Sequence, residues 1–186
     1  VLADIINQAR CQVIIADDGS DSFQPEQVAA AVLSPMSNVL IIKNPPQSAE
    51  ERWKTPTCGA LVNRALDRVI TDYVTYLCDD DLFAPGWVTG ARAALDYYRR
   101  YHMVCAQWRW FRDGSALSDA EPCKYGFPLP LTTGNFAHRM SCFRQECCRW
   151  DETSLAVHDA HFLGDYMQRH GYAGLGSRPW LGHLDI

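Results

Sequence analysis

Short apolar runs and longer amphipathic stretches alternate along the first two thirds of the chain. Residues 11–16, 38–43 and 73–77 are runs rich in β-branched and aromatic residues, the composition of buried strands. Between them, apolar positions recur at helical spacing. Residues 25–33 read as a helix with Pro25 in its first turn, and residues 58–70 as another with Leu61, Ala65 and Val69 on one face. Residues 85–100 form the next, closed by Arg99 and Arg100, whose charges suit a helix C-terminus. Residues 1–9 read as the end of an amphipathic helix, with Leu2, Ile5 and Ile6 together. Residues 103–110 read as a strand and Asp113-Gly114 as a turn. Residues 44–56 and 115–131 each carry three prolines and read as loops, the second with room for one short strand. Residues 136–148 read as a short helix with flanks. Residues 159–170 read as a helix with Phe162, Leu163, Tyr166 and Met167 inward, closed by Gly171; the rest is irregular. Strands alternating with helices predict one α/β domain with a mostly parallel, mixed sheet flanked by helices.

Two predicted strands run straight into carboxylates. Tyr73-Val74-Thr75-Tyr76-Leu77-Cys78 is followed by Asp79-Asp80-Asp81, and residues 11–16 by Asp17-Asp18-Gly19-Ser20. Three adjacent anions repel one another, so a fold gains from them only where something positive binds. At the carboxyl edge of an α/β sheet the usual occupant is a ligand. Clustered oxygen ligands suit Mg²⁺ or Mn²⁺ rather than zinc. Three site types place acids this way: a receiver domain, a metal-dependent phosphoryl-transfer or nuclease site, and a nucleotide-sugar transferase. The first calls for a Lys at a later strand end, and no clean candidate is present.

Composition narrows these. The 186 residues are 47% hydrophobic with net charge −5 and contain no basic run, which argues against a nuclease and against nucleic acid as partner. The 8 cysteines contain no CxxC spacing and read as reduced, buried thiols of a cytoplasmic protein. No segment is long and apolar enough to span a membrane.

Four ordered motifs carry a more specific likeness: QVIIADDGSDS, KTPTCGALVNRALDRV, YVTYLCDDDLFAPGW and WDETSLAVHDAHFLGDYMQRHGY. Together they resemble the inverting glycosyltransferases of family 2, with the Rossmann-like GT-A fold of nucleotide-diphospho-sugar transferases, and within it the spore-coat polysaccharide biosynthesis type. The resemblance implies that Asp18 contacts the nucleobase, that Arg52 faces the diphosphate, and that Asp79 approaches the ribose. It implies that Asp80 holds the metal, Mn²⁺ or Mg²⁺, with Asp81 assisting, and that Asp159 is the general base. Relatives often carry Glu where His158 stands and an acid where Cys78 stands. Relatives also open with a nucleobase-gripping strand ahead of the helix matched by residues 1–9, so residues 1–186 are expected to form one GT-A-like domain that lacks its first strand and belongs to a larger protein.

The chemistry fits these roles. Charge growing on a leaving diphosphate needs neutralising, and inversion needs one carboxylate on the sugar's far face. A helix-start position would favour the charged form of Asp159 and weaken it as a base, unless it takes the proton late. The implied donor is a UDP-sugar, with dTDP second, and the implied acceptor a glycan or other hydroxyl. The alternative is a non-catalytic module of the same fold that binds nucleotide sugar or glycan. Asp151 and Glu152 read as structural or acceptor-facing. His138 and His183 read as acceptor or metal contacts or as neither, and Trp108, Trp110 and Trp150 as a sugar-stacking wall or as core.

Overall fold

The computed structural model describes residues 11–20, 24–32, 38–52, 54–78, 83, 86–99, 102–105, 110–112, 115–118, 136–146, 148–153 and 161–162. The chain packs as two compact units, Val1–Asp72 with Met140–Tyr166, and Tyr73–Arg139 with Met167–Ile186.

In the first unit, β1 (Val13–Asp17) and β2 (Val39–Lys43) pair in parallel from Val13↔Val39 to Asp17↔Lys43. Their β-branched runs suit the pleated, half-buried surface they form. Two bonds extend the ladder beyond its ends, Val13 N–H to Asn38 O and Asn44 N–H to Asp17 O, each 2.9 Å. Helix α1 (Pro25–Val32) connects them and packs on β2. The loop expected after β2 contains a one-turn helix, α2 (Ala49–Arg52). Its cause is a capping box: Glu51 N–H donates to Ser48 Oγ, and the Ser48 N–H and Oγ–H both donate to Glu51 Oε2 at 2.8 Å. Those bonds, the backbone one first, hold the Glu51 carboxyl below its ordinary range.

Helix α3 (Cys58–Leu66) packs on β1 and β2 and buries Gly59, Leu61, Asn63 and Leu66. It stops short of the expected residue 70. The chain tightens into i→i−3 turns, Arg68 N–H to Ala65 O and Val69 N–H to Leu66 O. The Gln12 amide then takes both Arg68 O and the Ile70 N–H, at 3.0 and 2.9 Å. Helix α5 (Met140–Glu146) belongs to this unit, with Met140 and Phe143 buried.

The second unit corrects the expected mostly parallel sheet. Strand β7 (Phe136–Arg139) lies between β3 (Tyr73–Thr75) and β4 (Met103–Cys105) and pairs antiparallel with both. Within the stretch 136–148, expected as a short helix with flanks, the leading flank is this strand and helix α5 begins at Met140. Phe136, Ala137 and His138 are all buried, so the strand lacks the alternation that reveals a half-exposed one. Of the expected strand 103–110, β4 covers Met103–Cys105 and residues 106–109 lie outside the described residues; β5 (Trp110–Arg112) starts at its far end and pairs antiparallel with β6 (Ser115–Ser118), with a bulge between Trp110 and Phe111. Their link, Asp113-Gly114, lies outside the described residues, as does the expected helix at 1–9. Among the described residues the only parallel pairing is that of β1 with β2.

Helix α4 (Trp87–Tyr97) covers β4 and β7 through Trp87, Ala91, Ala94 and Leu95, which form a core with Val104 and Ala137. Gly86 precedes it in a left-handed conformation, φ +80°, which sets its start at Trp87 rather than Pro85. At Tyr98 ψ is 69°, and the helix ends.

Candidate functional site

The acidic turn after β1 has a division of labour. Asp17 is buried, and its Oδ1 accepts the N–H groups of Gly19 and Ser20 at 3.2 and 3.0 Å. This is the local bonding that makes Asp a turn former. Gly19 sits at φ +102°, and a Cβ there would lie 2.4 Å from Pro45 O, so only glycine closes the turn. Gly19 O accepts from Gln47 N–H at 3.0 Å and from Arg52 Nη1 at 3.1 Å; the same Nη1 donates to Gln47 O at 3.3 Å. The capped turn of α2 thus delivers Arg52 to the β1 turn and ties it to the loop after β2. Asp18 is half-buried and makes no hydrogen bond or ion pair among the described residues. Of the two acids, Asp17 builds the turn and Asp18 takes no part in its bonding. The Arg52 guanidinium makes its bonds through Nη1, so its other guanidinium N–H groups have no partner among the described residues.

In the second unit, Asp79, Asp80 and Asp81 lie outside the described residues. What the structure gives is the strand that leads to them. Tyr76 lies 2.7 Å from His138 Nε2, and His138 Nδ1 lies 3.0 Å from Arg139 O. A carbonyl only accepts, so Nδ1 carries the proton, and Tyr76 O–H donates to Nε2. Tyr76 also packs on the Phe136 ring at 5.2 Å. Both nitrogens of His138 are therefore engaged inside the protein, which leaves no lone pair for a metal or acceptor. Burial lowers its pKa from 6.5 to about 4.

That shift carries a stability prediction. Above pH 6.5 the ring is neutral whether folded or unfolded. Between 6.5 and 4 the unfolded chain binds a proton that the folded chain refuses, so stability falls as pH falls through this window. The loss approaches about 3 kcal/mol near the lower end. Urea unfolding at pH 7.5 and 4.5 is expected to show a smaller pH-dependent loss in His138→Gln than in the unaltered chain. Equal losses in the two proteins would count against the assignment.

The third constellation lies in the first unit, where α3 holds the segment after α5. Asn63 is 2% exposed. Its Nδ2 donates to Trp150 O at 2.9 Å and to Glu152 Oε1 at 2.7 Å, while its Oδ1 accepts the Trp150 N–H at 2.9 Å. One turn earlier, Gly59 lets the backbone of Asp151 press against the helix. The Trp150 ring stacks on Phe162 at 5.1 Å and 13°, in the core rather than on a sugar-facing wall. Asp151 Oδ1 accepts from Thr153 N and Oγ1 at 2.8 and 2.7 Å, and Oδ2 lies 2.9 Å from His161 Nδ1. Asp159 lies outside the described residues, as do Trp108 and His183 and the side chain of Trp110. Sequence reasoning missed Asn63 and Gly59. A polar residue four positions after a glycine, with Leu66 completing the same helical face, was the available signal.

Among the described residues no group of three or more His, Cys, Asp or Glu side chains could hold a metal ion. No helix among them is long and apolar enough to cross a membrane.

No protein-family model matches the sequence. No curated protein matches it. Among solved structures, the crystal structure of S. aureus TarS 1–349 is similar, with a TM-score of 0.59 at 14% identity. The match covers 84% of this chain and 46% of the TarS chain, so the chain spans under half the length of that neighbour. At this identity the likeness is one of fold: a mixed α/β chain with small sheets, sharing its architecture with a glycosyltransferase.

Proposed function

We propose that the protein is a metal-dependent, inverting glycosyltransferase of family 2 with a GT-A fold, and that it acts in the cytoplasm. It moves a sugar from a nucleoside diphosphate sugar, UDP favoured over dTDP, to a hydroxyl of a glycan or other acceptor. The observation that carries this reading is the fold shared with TarS. Asp18, at the carboxyl end of β1 and without a partner among the described residues, supports it, because that edge is where an α/β sheet takes its ligand.

In this reading Asp18 receives the nucleobase and Arg52 lies on the diphosphate side. Asp79 meets the ribose. Asp80 and Asp81 would hold Mn²⁺ or Mg²⁺, whose chemistry when bound is to neutralise charge on the leaving diphosphate. Asp159 takes the proton from the acceptor hydroxyl on the sugar's far face, and attack from that side inverts the anomeric centre.

Calorimetric titration with UDP, dTDP and GDP, each with and without Mn²⁺, tests the reading. Metal-dependent binding of UDP is the expected result. Binding of none of the three, with or without metal, would remove the nucleotide-sugar reading. Binding without transfer to any hydroxyl acceptor would leave a non-catalytic module of the same fold.

A further inference from the structure

We propose that His161 receives the acceptor's hydroxyl through Nε2, and that Asp151 sets its tautomer for that purpose; this rests on the transferase reading above. A carboxylate only accepts, so in the pair at 2.9 Å the imidazole donates from Nδ1. The neutral ring then keeps its lone pair on Nε2, where an O–H donor can meet it.

Exposed ion pairs usually contribute little, because both partners are free to rotate. Asp151 is not free. Its side chain is only 18% exposed, and its other oxygen accepts two bonds from Thr153. Its backbone rests on Gly59, and Asn63 holds the residues on either side of it. On the partner's side, Phe162, next to His161, is stacked on Trp150. Both halves of the pair are thus anchored, yet the imidazole is 57% exposed. A ring held at one nitrogen and open at the other presents a single, directed acceptor. Sugars and polyols are hydroxyl donors, and they fit it.

Chain position says which substrate is met. His161 lies two residues beyond Asp159. Two residues of chain span at most about 7 Å. With Asp159 as the base of the proposed function, a residue this near it in the chain is assigned to the acceptor rather than to the nucleotide.

The test compares His161→Asn, His161→Ala and Asp151→Ala with the unaltered chain. Transfer is measured from UDP-, dTDP- and GDP-hexoses to methyl hexosides and glycerol, alongside the ¹⁵N spectrum of the His161 ring. Asn keeps the N–H that reaches Asp151 and lacks the second nitrogen. His161→Asn is therefore expected to raise the acceptor KM by about five- to tenfold, the worth of one hydrogen bond, with donor KM and melting temperature unchanged. His161→Ala is expected to match it, and Asp151→Ala to release the ring from the Nδ1–H tautomer. An unchanged acceptor KM in His161→Asn, or a ring proton on Nε2 in the unaltered chain, overturns the proposal while the transferase reading stands. Neither transfer nor nucleotide binding by the unaltered chain overturns that reading and the acceptor role together.

Discussion

Gly59→Ala is expected to leave little folded protein, costing more than about 4 kcal/mol against a typical domain stability of about 5–15 kcal/mol. The added Cβ would stand 1.8 Å from Asp151 O, 2.7 Å from its carbonyl carbon and 3.3 Å from the Glu152 Cα. All three are backbone atoms, so no rotamer change relieves the overlap. Relief requires lifting residues 150–152 off α3, and Asn63 holds them there with three bonds, two of them to the Trp150 backbone. Lifting them also disturbs the Trp150–Phe162 stack and strands a buried amide, each costing on the order of 1 kcal/mol or more. Gly86→Ala makes the control. There the nearest atom to an added Cβ is Thr89 Oγ1 at 4.0 Å, so only the positive φ is strained, and the loss should stay near about 1 kcal/mol. Urea unfolding followed by circular dichroism measures both. A midpoint for Gly59→Ala close to that of Gly86→Ala would mean that α3 and the 150–152 segment separate at little cost.

Much of the first unit was legible because its signals are local. The Val-Ile runs of β1 and β2 and the helix between them announce themselves by composition and spacing. The Ser48–Glu51 capping box was equally local, but the prolines around it read as a loop. The antiparallel sheet of the second unit was not legible, since its order depends on β7. That strand holds His138 at its centre, and periodicity reports whether a residue is polar, not whether its polarity is satisfied. Tyr76 and the Arg139 carbonyl satisfy it from sites that only the fold brings near. The same limit applies to Asp17 and Asp18. The sequence puts both at a sheet edge, and only the turn geometry shows that Asp17 is used by Gly19 and Ser20 while Asp18 is not. Asn63 shows the limit most plainly, because its three bonds reach across 87 and 89 positions of chain.

Asp159→Ala and Asp80→Ala are expected to fail in different ways, and the difference separates chemistry from binding. A general base contributes about 10²–10⁴-fold to rate, so Asp159→Ala should lower transfer by that factor while Mn²⁺-dependent UDP binding stays near that of the unaltered chain. In the proposed mechanism the base meets the acceptor hydroxyl and has no part in holding the nucleotide, so one property should fall without the other. Asp159→Asn should be as impaired as the alanine variant, because an amide of the same shape cannot take the proton. Asp80→Ala should instead abolish the metal dependence of UDP binding, and transfer should fall with it. In the proposed site, two repelling carboxylates, Asp79 and Asp81, would remain without the third ligand. Titration calorimetry and a transfer assay on the same three variants give both readouts. Full transfer by Asp159→Ala would remove Asp159 from the mechanism and turn attention to the Asp151–His161 pair as the proton acceptor. Unchanged Mn²⁺-dependent binding by Asp80→Ala would move the metal to the neighbouring acids, because charge alone, without a ligand at that position, would then be enough to hold it.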